Sequence, residues 1–319
     1  MERKRLVSVV VPTRDRPQLL RKALASIRAL EGEDLAFEIL VGDNGSAPET
    51  QSIVAEFQGK YLPAPRHGPA AARNAGLREA TGEFIAFLDD DDEWLHGHIR
   101  PHIDILDANP DVAAVFGQIV YVTDDLTPVS APWPASWPED DQLVVTMLSG
   151  YYPQIGATVV RASLLQSIGL MDETLIGDED WDWQLRFAES HRIGFVDKPC
   201  IYSRTRPAGS YDDIQIERIK YCAKVFWRHA GRNLRRWRSP LTLVRAYIGA
   251  TAHFYTYFVE AAIARAETGD YSGARRAAFH AFRLNPKRAL KMMKGAPFRS
   301  AVASAFFGGN LQSAYIFRR

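Results

Sequence analysis

Four consecutive aspartates, Asp89 to Asp92, follow directly on the apolar run Phe84-Ile85-Ala86-Phe87-Leu88. Carboxylates this close repel one another, so a fold that keeps them together calls for a cation. Their oxygens suit a hard divalent ion, Mg²⁺ or Mn²⁺, of the kind that links one or two carboxylates to a substrate phosphate. Their position agrees with that chemistry. An apolar run with aromatic and β-branched residues reads as a buried strand, and open α/β sheets bind ligands beyond the C-terminal ends of their strands. A solvated acidic turn, capping a helix that begins near Trp94, is the alternative these four residues leave open on their own.

A second set of carboxylates lies in Asp178-Glu179-Asp180-Trp181-Asp182. Asp182 and Arg186 stand at i,i+4 and pair across one helical turn, which gives Asp182 a structural role. Asp178 suits an N-cap, and Asp180 is left facing another direction. Asp43, in Asp43-Asn44-Gly45, either accepts hydrogen bonds from a nucleobase or belongs to the turn that Asn-Gly favours. The donor fork of Arg73 suits a phosphate or carboxylate oxygen, and a plain surface arginine is its alternative reading. His98 and His102 share a helix face, but no third ligand has suitable spacing, so they read as packing or surface residues. Trp133 and Trp137 sit in a Pro- and Trp-rich loop over 130–141, where exposed rings can stack on sugar faces.

These residues need elements to hold them. Strands are expected at Leu6–Val11, Phe37–Val41, Glu83–Leu88, Val112–Val122 and Ala157–Val160, with two short ones near Ile193–Val196 and Ile201–Arg204. Helices are expected at Pro17–Leu30, from about Ser46 to Phe57, and at Gly68–Ala80, Ala162–Ile168 and Asp178–Ser190. Strands alternating with helices predict a mainly parallel sheet flanked by helices, an α/β fold. Beyond about Asp213 the texture changes to long helices rich in Arg and Ala. There Ala262–Thr268 and Tyr271–Asn285 read as the two arms of a helical hairpin. The expected division is therefore 1–212 and 213–319, the first split into halves at about 1–125 and 126–212.

A chain of 319 residues with 46% hydrophobic and 24% charged residues is of ordinary globular composition. Its two cysteines imply no disulfide framework, which fits a reducing, cytoplasmic setting. The near-zero net charge hides a division. Residues 1–214 carry 19 Lys+Arg against 34 Asp+Glu, whereas residues 215–319 carry 20 against 4. The basic region faces an anionic surface such as a membrane, docks on the acidic half, or is a helical appendage with a solvated basic face. Nucleic acid is not an expected partner. The longest uncharged stretch, Ser300 to Phe317, is too polar to span a bilayer.

Taken together, several segments resemble one family. Gly68-Pro69-Ala70-Ala71-Ala72-Arg73-Asn74-Ala75-Gly76, followed by Gly82 to Asp92, is similar to the family 2 glycosyltransferases. Val9-Val10-Val11-Pro12-Thr13-Arg14-Asp15-Arg16 resembles that family's opening strand and nucleotide loop. Gly169-Leu170-Met171-Asp172-Glu173 and Gly177 to Arg186 resemble its acceptor-side motifs. The resemblance runs from about Leu6 to Ser210. It implies a GT-A fold, with a Rossmann-like nucleotide half and an acceptor half, and a nucleoside-diphosphate sugar as donor, a UDP-sugar being favoured. It implies that Thr13, Asp43, Arg73, Asp89 and Asp90 hold the nucleotide, that Asp91 ligates a divalent metal (Mn²⁺ or Mg²⁺), and that Asp180 is the catalytic base. The acceptor would be a saccharide or lipid-linked saccharide in polysaccharide or glycolipid assembly. Two departures stand out: Arg14 and Asp15 replace an aromatic and an asparagine, and Arg206 stands near a frequent histidine of the closing loop, Tyr202 to Ser210. A non-catalytic sugar-nucleotide binder is one rival. A nucleotidyltransferase is another, although the expected glycine-rich, Lys-containing loop is missing after the first strand.

Overall fold

The apolar runs fold as eight strands: β1 (Arg5–Thr13), β2 (Leu35–Asp43), β3 (Lys60–Pro63), β4 (Phe84–Phe87), β5 (Glu93–Trp94), β6 (Val112–Val122), β7 (Thr158–Arg161) and β8 (Arg192–Arg204). In this computed structural model, which describes residues 4–32, 34–205, 212–237 and 239–307, they form one sheet in the order β3-β2-β1-β4-β7-β6-β8-β5. The first four are mutually parallel, as the continuous buried apolar runs of β1, β2 and β4 should be, with β3 as a short edge strand. β7 runs antiparallel to both β4 and β6, so the acceptor half is mixed rather than parallel.

The strands are flanked by α1 (Pro17–Arg28), α2 (Glu49–Glu56), α3 (Pro69–Glu79), α4 (Ile99–Ala108), α5 (Leu143–Leu148), α6 (Leu165–Ile168) and α7 (Glu179–Ser190). Helix α3 lies against the sheet at a distance that only small residues allow. A Cβ at Gly42 would stand 1.9 Å from the Ala72 carbonyl oxygen, and one at Gly76 would stand 2.7 Å from Val10 Cγ1. This contact sets Arg73 close to the strand ends.

The chain divides into two compact units. One comprises Met1–Met147 with Tyr151–Thr205, and the other Arg206–Arg319 with Leu148–Gly150. The second is helical: α8 (Asp212–Arg232), α9 (Pro240–Ala250), α10 (Ala252–Glu267), α11 (Tyr271–Leu284), α12 (Pro286–Met292) and α13 (Ala296–Phe307). Helices α10 and α11 form a hairpin with alanines at its seam (Ala261, Ala262, Ala274, Ala277, Ala278 and Ala281 are buried). Gly269, with φ of 83°, makes the turn, and Asp270 caps α11 through the Gly273 amide at 2.9 Å. Among the described residues, no helix is long and apolar enough to cross a membrane. Arg206, most of the closing loop and the end of the Ser300–Phe317 stretch lie outside the described residues.

Several elements differ from expectation. No helix begins near Trp94. That residue pairs with Ile201 in the two-residue β5, its indole N–H faces the Phe87 and Gly156 carbonyls, and Gly97 at φ 80° delays the helix to Ile99. Ile193–Val196 and Ile201–Arg204 are one strand, which crosses Pro199 through register irregularities opposite Gly117 and Gln118. Strand β3 and helix α5 have no counterpart in the sequence reading. Trp133 and Trp137 are not a free loop pair. Trp133 bridges to Ile119, and Trp137 stacks on Phe195 with centroids 4.8 Å apart, so both cover the sheet.

His98 and His102 are fully buried packing residues rather than surface ones. The structure brings Cys200 to them, with all three ligand atoms within 4.8 Å of one another. Backbone groups already engage the cluster: the His102 ring nitrogens face the His98 and Ala157 carbonyls at 2.8 and 3.2 Å, and the Cys200 thiol donates to the Lys198 carbonyl at 3.2 Å. Burial pushes His102 down to about 4 from its ordinary 6.5. The unfolded chain therefore binds its proton at a higher pH than the folded one does. Stability held above pH 6.5 is lost as the pH falls toward 4, by about 2 kcal/mol at pH 5 from this group alone. Urea unfolding at pH 7.5 and pH 5.0 checks this, and the difference is expected to shrink in His102→Gln.

Candidate active site

Strands β1, β2 and β4 end at one edge of the sheet, with Thr13 opposite Asp43 and Val10 opposite Phe87. The acidic loop starts there, and its four carboxylates are not equivalent. Asp90, Asp91 and Asp92 are buried, at 5%, 9% and 3% exposure, whereas Asp89 is partly exposed. Thr13 donates its hydroxyl to Asp90 Oδ2 at 2.7 Å. Arg16 lies between Asp90 and Asp91, donating through Nη1 at 3.0 and 3.1 Å. Burial lifts the Asp90 carboxyl to about 6 despite Arg16, and it lifts Asp92 well above its ordinary value, helped by the charges of Asp89 and Asp91.

Arg204, at the end of β8, fastens the loop from the other side. Its amide donates to Asp92 Oδ1 at 3.0 Å, and its guanidinium reaches the Asp91 carbonyl at 2.5 Å and the Glu93 carboxylate. Asp43 is buried within its own turn. The Gly45 amide donates to Oδ1 at 2.6 Å, and the Tyr61 hydroxyl to Oδ2 at 3.2 Å. Asp15, held at φ 54°, accepts from the Ser46 and Ala47 amides and so ties the β1 loop to the β2 loop.

Arg73 joins the two acidic clusters. It is buried on α3 and donates Nη2 to Asp89 Oδ1 at 2.7 Å and Nη1 to Glu179 Oε1 at 2.5 Å. Burial alone would lower its pKa, but Asp89, Glu179 and Asp180 together raise it above the ordinary arginine value. Asp180 follows Glu179 in the chain, and its charge acts on this guanidinium. It sits in the first turn of α7, partly exposed, with Oδ1 accepting from the Trp181 amide at 2.8 Å. Asp182 pairs with Arg186 at 3.3 Å, and Arg186 donates to the Ile168 and Leu170 carbonyls. Asp178 occupies the N-cap position at φ 60°, but its side chain makes no capping bond.

Arg16, Glu179 and Arg204 were not singled out in the sequence. Arg16 carries a weak signal, a cation beside the first strand's end; the other two are tied in only by contacts more than 100 residues apart. For a divalent ion, the oxygen-only carboxylate of Asp91, which already lies 3.1 Å from the Arg16 guanidinium, is a fitting donor.

A mixed sheet of this order, with acidic loops gathered at the strand ends, is the GT-A architecture of glycosyltransferases. Residues 8–168 match the profile of glycosyl transferase family 2, and the chain belongs to that family. A Campylobacter jejuni GalNAc(5)-diNAcBac-PP-undecaprenol beta-1,3-glucosyltransferase is 42% identical over 118 residues, 35% of this chain and 37% of that relative, so the match spans little more than a third of its length. Two solved structures share the fold. S. aureus TarS 1–349 in complex with UDP-GlcNAc has a TM-score of 0.51 at 18% identity, covering 94% of this chain and 91% of that one. The mannosyltransferase PcManGT of Pyrobaculum calidifontis, in complex with GDP-Man and Mn²⁺, has a TM-score of 0.50 at 18% identity, covering 97% and 89%.

Replacing Arg73 by Met removes the guanidinium that the buried Glu179 and Asp89 share. Urea unfolding is expected to register a loss of about 3–5 kcal/mol, and Arg73→Lys should recover only part of it because it lacks the fork. Wild-type unfolding of Arg73→Met would show that the bridge bears no weight.

Proposed function

We propose that this enzyme transfers a sugar, with inversion, from a nucleoside-diphosphate sugar to a hydroxyl acceptor. The reading is supported chiefly by one observation: the Arg73 guanidinium binds Asp89 while lying within reach of the Asp180 charge, so donor-side and acceptor-side carboxylates gather around one cation. Inversion requires a base on the face of the sugar opposite the departing diphosphate. Asp180 takes the acceptor's hydroxyl proton as that oxygen attacks the anomeric carbon, and the bond to the nucleoside diphosphate breaks.

Asp91 would hold a divalent cation, Mn²⁺ or Mg²⁺, whose Lewis acidity would offset the charge on the leaving diphosphate. Arg16, one-third exposed, neutralises Asp91 and can turn toward a phosphate. Asp89, aligned by Arg73, would face the ribose. Thr13 fixes Asp90 beneath the nucleotide, and Asp43 would meet the base beside Tyr61. Uridine is the favoured base, in keeping with the UDP-GlcNAc named for the TarS structure. Mn²⁺ accompanies the donor in the mannosyltransferase.

The undecaprenol-linked acceptor in the Campylobacter relative's name supports a saccharide carried on a membrane lipid, as in polysaccharide or glycolipid assembly. The basic helices of the second unit would then hold the enzyme at the cytoplasmic face of the membrane.

A panel of UDP- and GDP-sugars with Mn²⁺ or Mg²⁺, scored for nucleoside-diphosphate release, tests this. Asp180→Asn is expected to lower turnover by about 10²–10⁴-fold while donor binding persists, and Asp91→Asn is expected to abolish the metal-dependent part of donor binding. Donor binding by the wild-type chain without release from any donor and acceptor would instead identify a sugar-nucleotide binder.

A further inference from the structure

The second unit has a face that its own packing leaves uncovered. Helix α9 turns Ala246 and Ala250 inward. At about 100° per residue, Leu241, Val244 and Ile248 fall together on the opposite side, and they are 57%, 51% and 47% exposed. Trp227, near the end of α8 and 53% exposed, stacks on Tyr247 of α9 with ring centroids 5.6 Å apart, which continues the same apolar surface. Leu234, between the two helices, is 67% exposed. Single exposed apolar residues are ordinary, but a run of them on adjoining helices marks a contact surface.

The charge along this stretch of chain is of one sign. Between Glu217 and Glu260 the chain carries nine Lys and Arg and no Asp or Glu. Arg235, Arg236 and Arg245 are exposed, and Arg245 follows Val244 on α9. We propose that this face of α8 and α9 lies in the interface of an anionic phospholipid bilayer, with Leu241, Val244, Ile248 and Trp227 entering the acyl boundary and the arginines over lipid phosphates.

The chemistry selects that occupant. A second copy would bring Arg235, Arg236 and Arg245 against the same three like charges, and a nucleic acid would offer nothing to Leu241, Val244 and Ile248. Aliphatic and Trp side chains bordered by arginine match an interfacial helix on anionic lipid. With 11 residues, α9 is about 16 Å long, so it lies along the surface and does not cross. The proposal rests on the peripheral-membrane part of the functional reading and adds the residues that make the contact; it does not depend on donor or metal.

Co-sedimentation of the full chain with vesicles tests it. Binding is expected to 1:1 phosphatidylglycerol–phosphatidylcholine and to be about tenfold or more weaker to phosphatidylcholine alone, with the difference lost at high salt. A Leu241→Gln, Val244→Gln, Ile248→Gln variant should lose about tenfold or more of the partitioning. An Arg235→Gln, Arg236→Gln, Arg245→Gln variant should lose a similar share along with most of the salt dependence. In both variants, nucleoside-diphosphate release onto a water-soluble acceptor should match wild type, which separates failure at the membrane from failure of the catalytic reading. Undiminished vesicle binding by the Gln-substituted α9 variant overturns the proposal. So does a wild-type chain that ignores both vesicles, or one whose self-association in sedimentation velocity is abolished by the α9 substitutions.

Discussion

The site depends on one buried cation. A guanidinium as enclosed as Arg73 is stable only if carboxylates surround it, and carboxylates as crowded as Asp89 and its neighbours are stable only beside a cation. Each solves the other's problem, and Glu179 makes the solution three-cornered. Asp89 comes from the end of β4 and Glu179 from the first turn of α7, so the pair fixes the distance between parts of the chain 90 residues apart. The elements that reach Arg73 are the ones on which the glycosyl-transfer reading relies.

Around this centre the acidic loop is held by three arginines, each reaching it from a different element. Arg16 comes from the β1 loop, Arg73 from α3 and Arg204 from β8. Only Arg16 is appreciably exposed. The inner carboxylates, Asp90 and Asp92, are pushed toward their neutral forms by burial, which reduces the repulsion that four adjacent aspartates would otherwise impose.

Much of this was legible in the sequence because buried parallel strands are written as unbroken apolar runs. β1, β2, β4 and β6 announce themselves in that way, and the aspartates following β4 are hard to overlook. What escaped was whatever lacks a local pattern. β3 is a four-residue edge strand with Lys60 exposed, and β5 is two residues long. Trp133 and Trp137 read as loop aromatics because their partners, Ile119 and Phe195, are distant in sequence. Glu179 and Arg204 were unremarkable charges until tertiary contacts set them in place. The i,i+4 pair of Asp182 with Arg186 was readable because a helix carries its partner one turn away.

The seating of α3 on the sheet bears on how this scaffold tolerates change. A single added methyl at Gly42 would collide with the backbone of Ala72, and backbone cannot swing aside as a side chain can. Substitutions along that seam would move the helix bodily and carry Arg73 with it. The neighbouring turn is no freer at Gly45, where a Cβ would stand 2.7 Å from the Asp15 amide nitrogen, whereas the Arg14 side chain is two-thirds exposed. A protein engineer would diversify Arg14 and hold both close approaches constant.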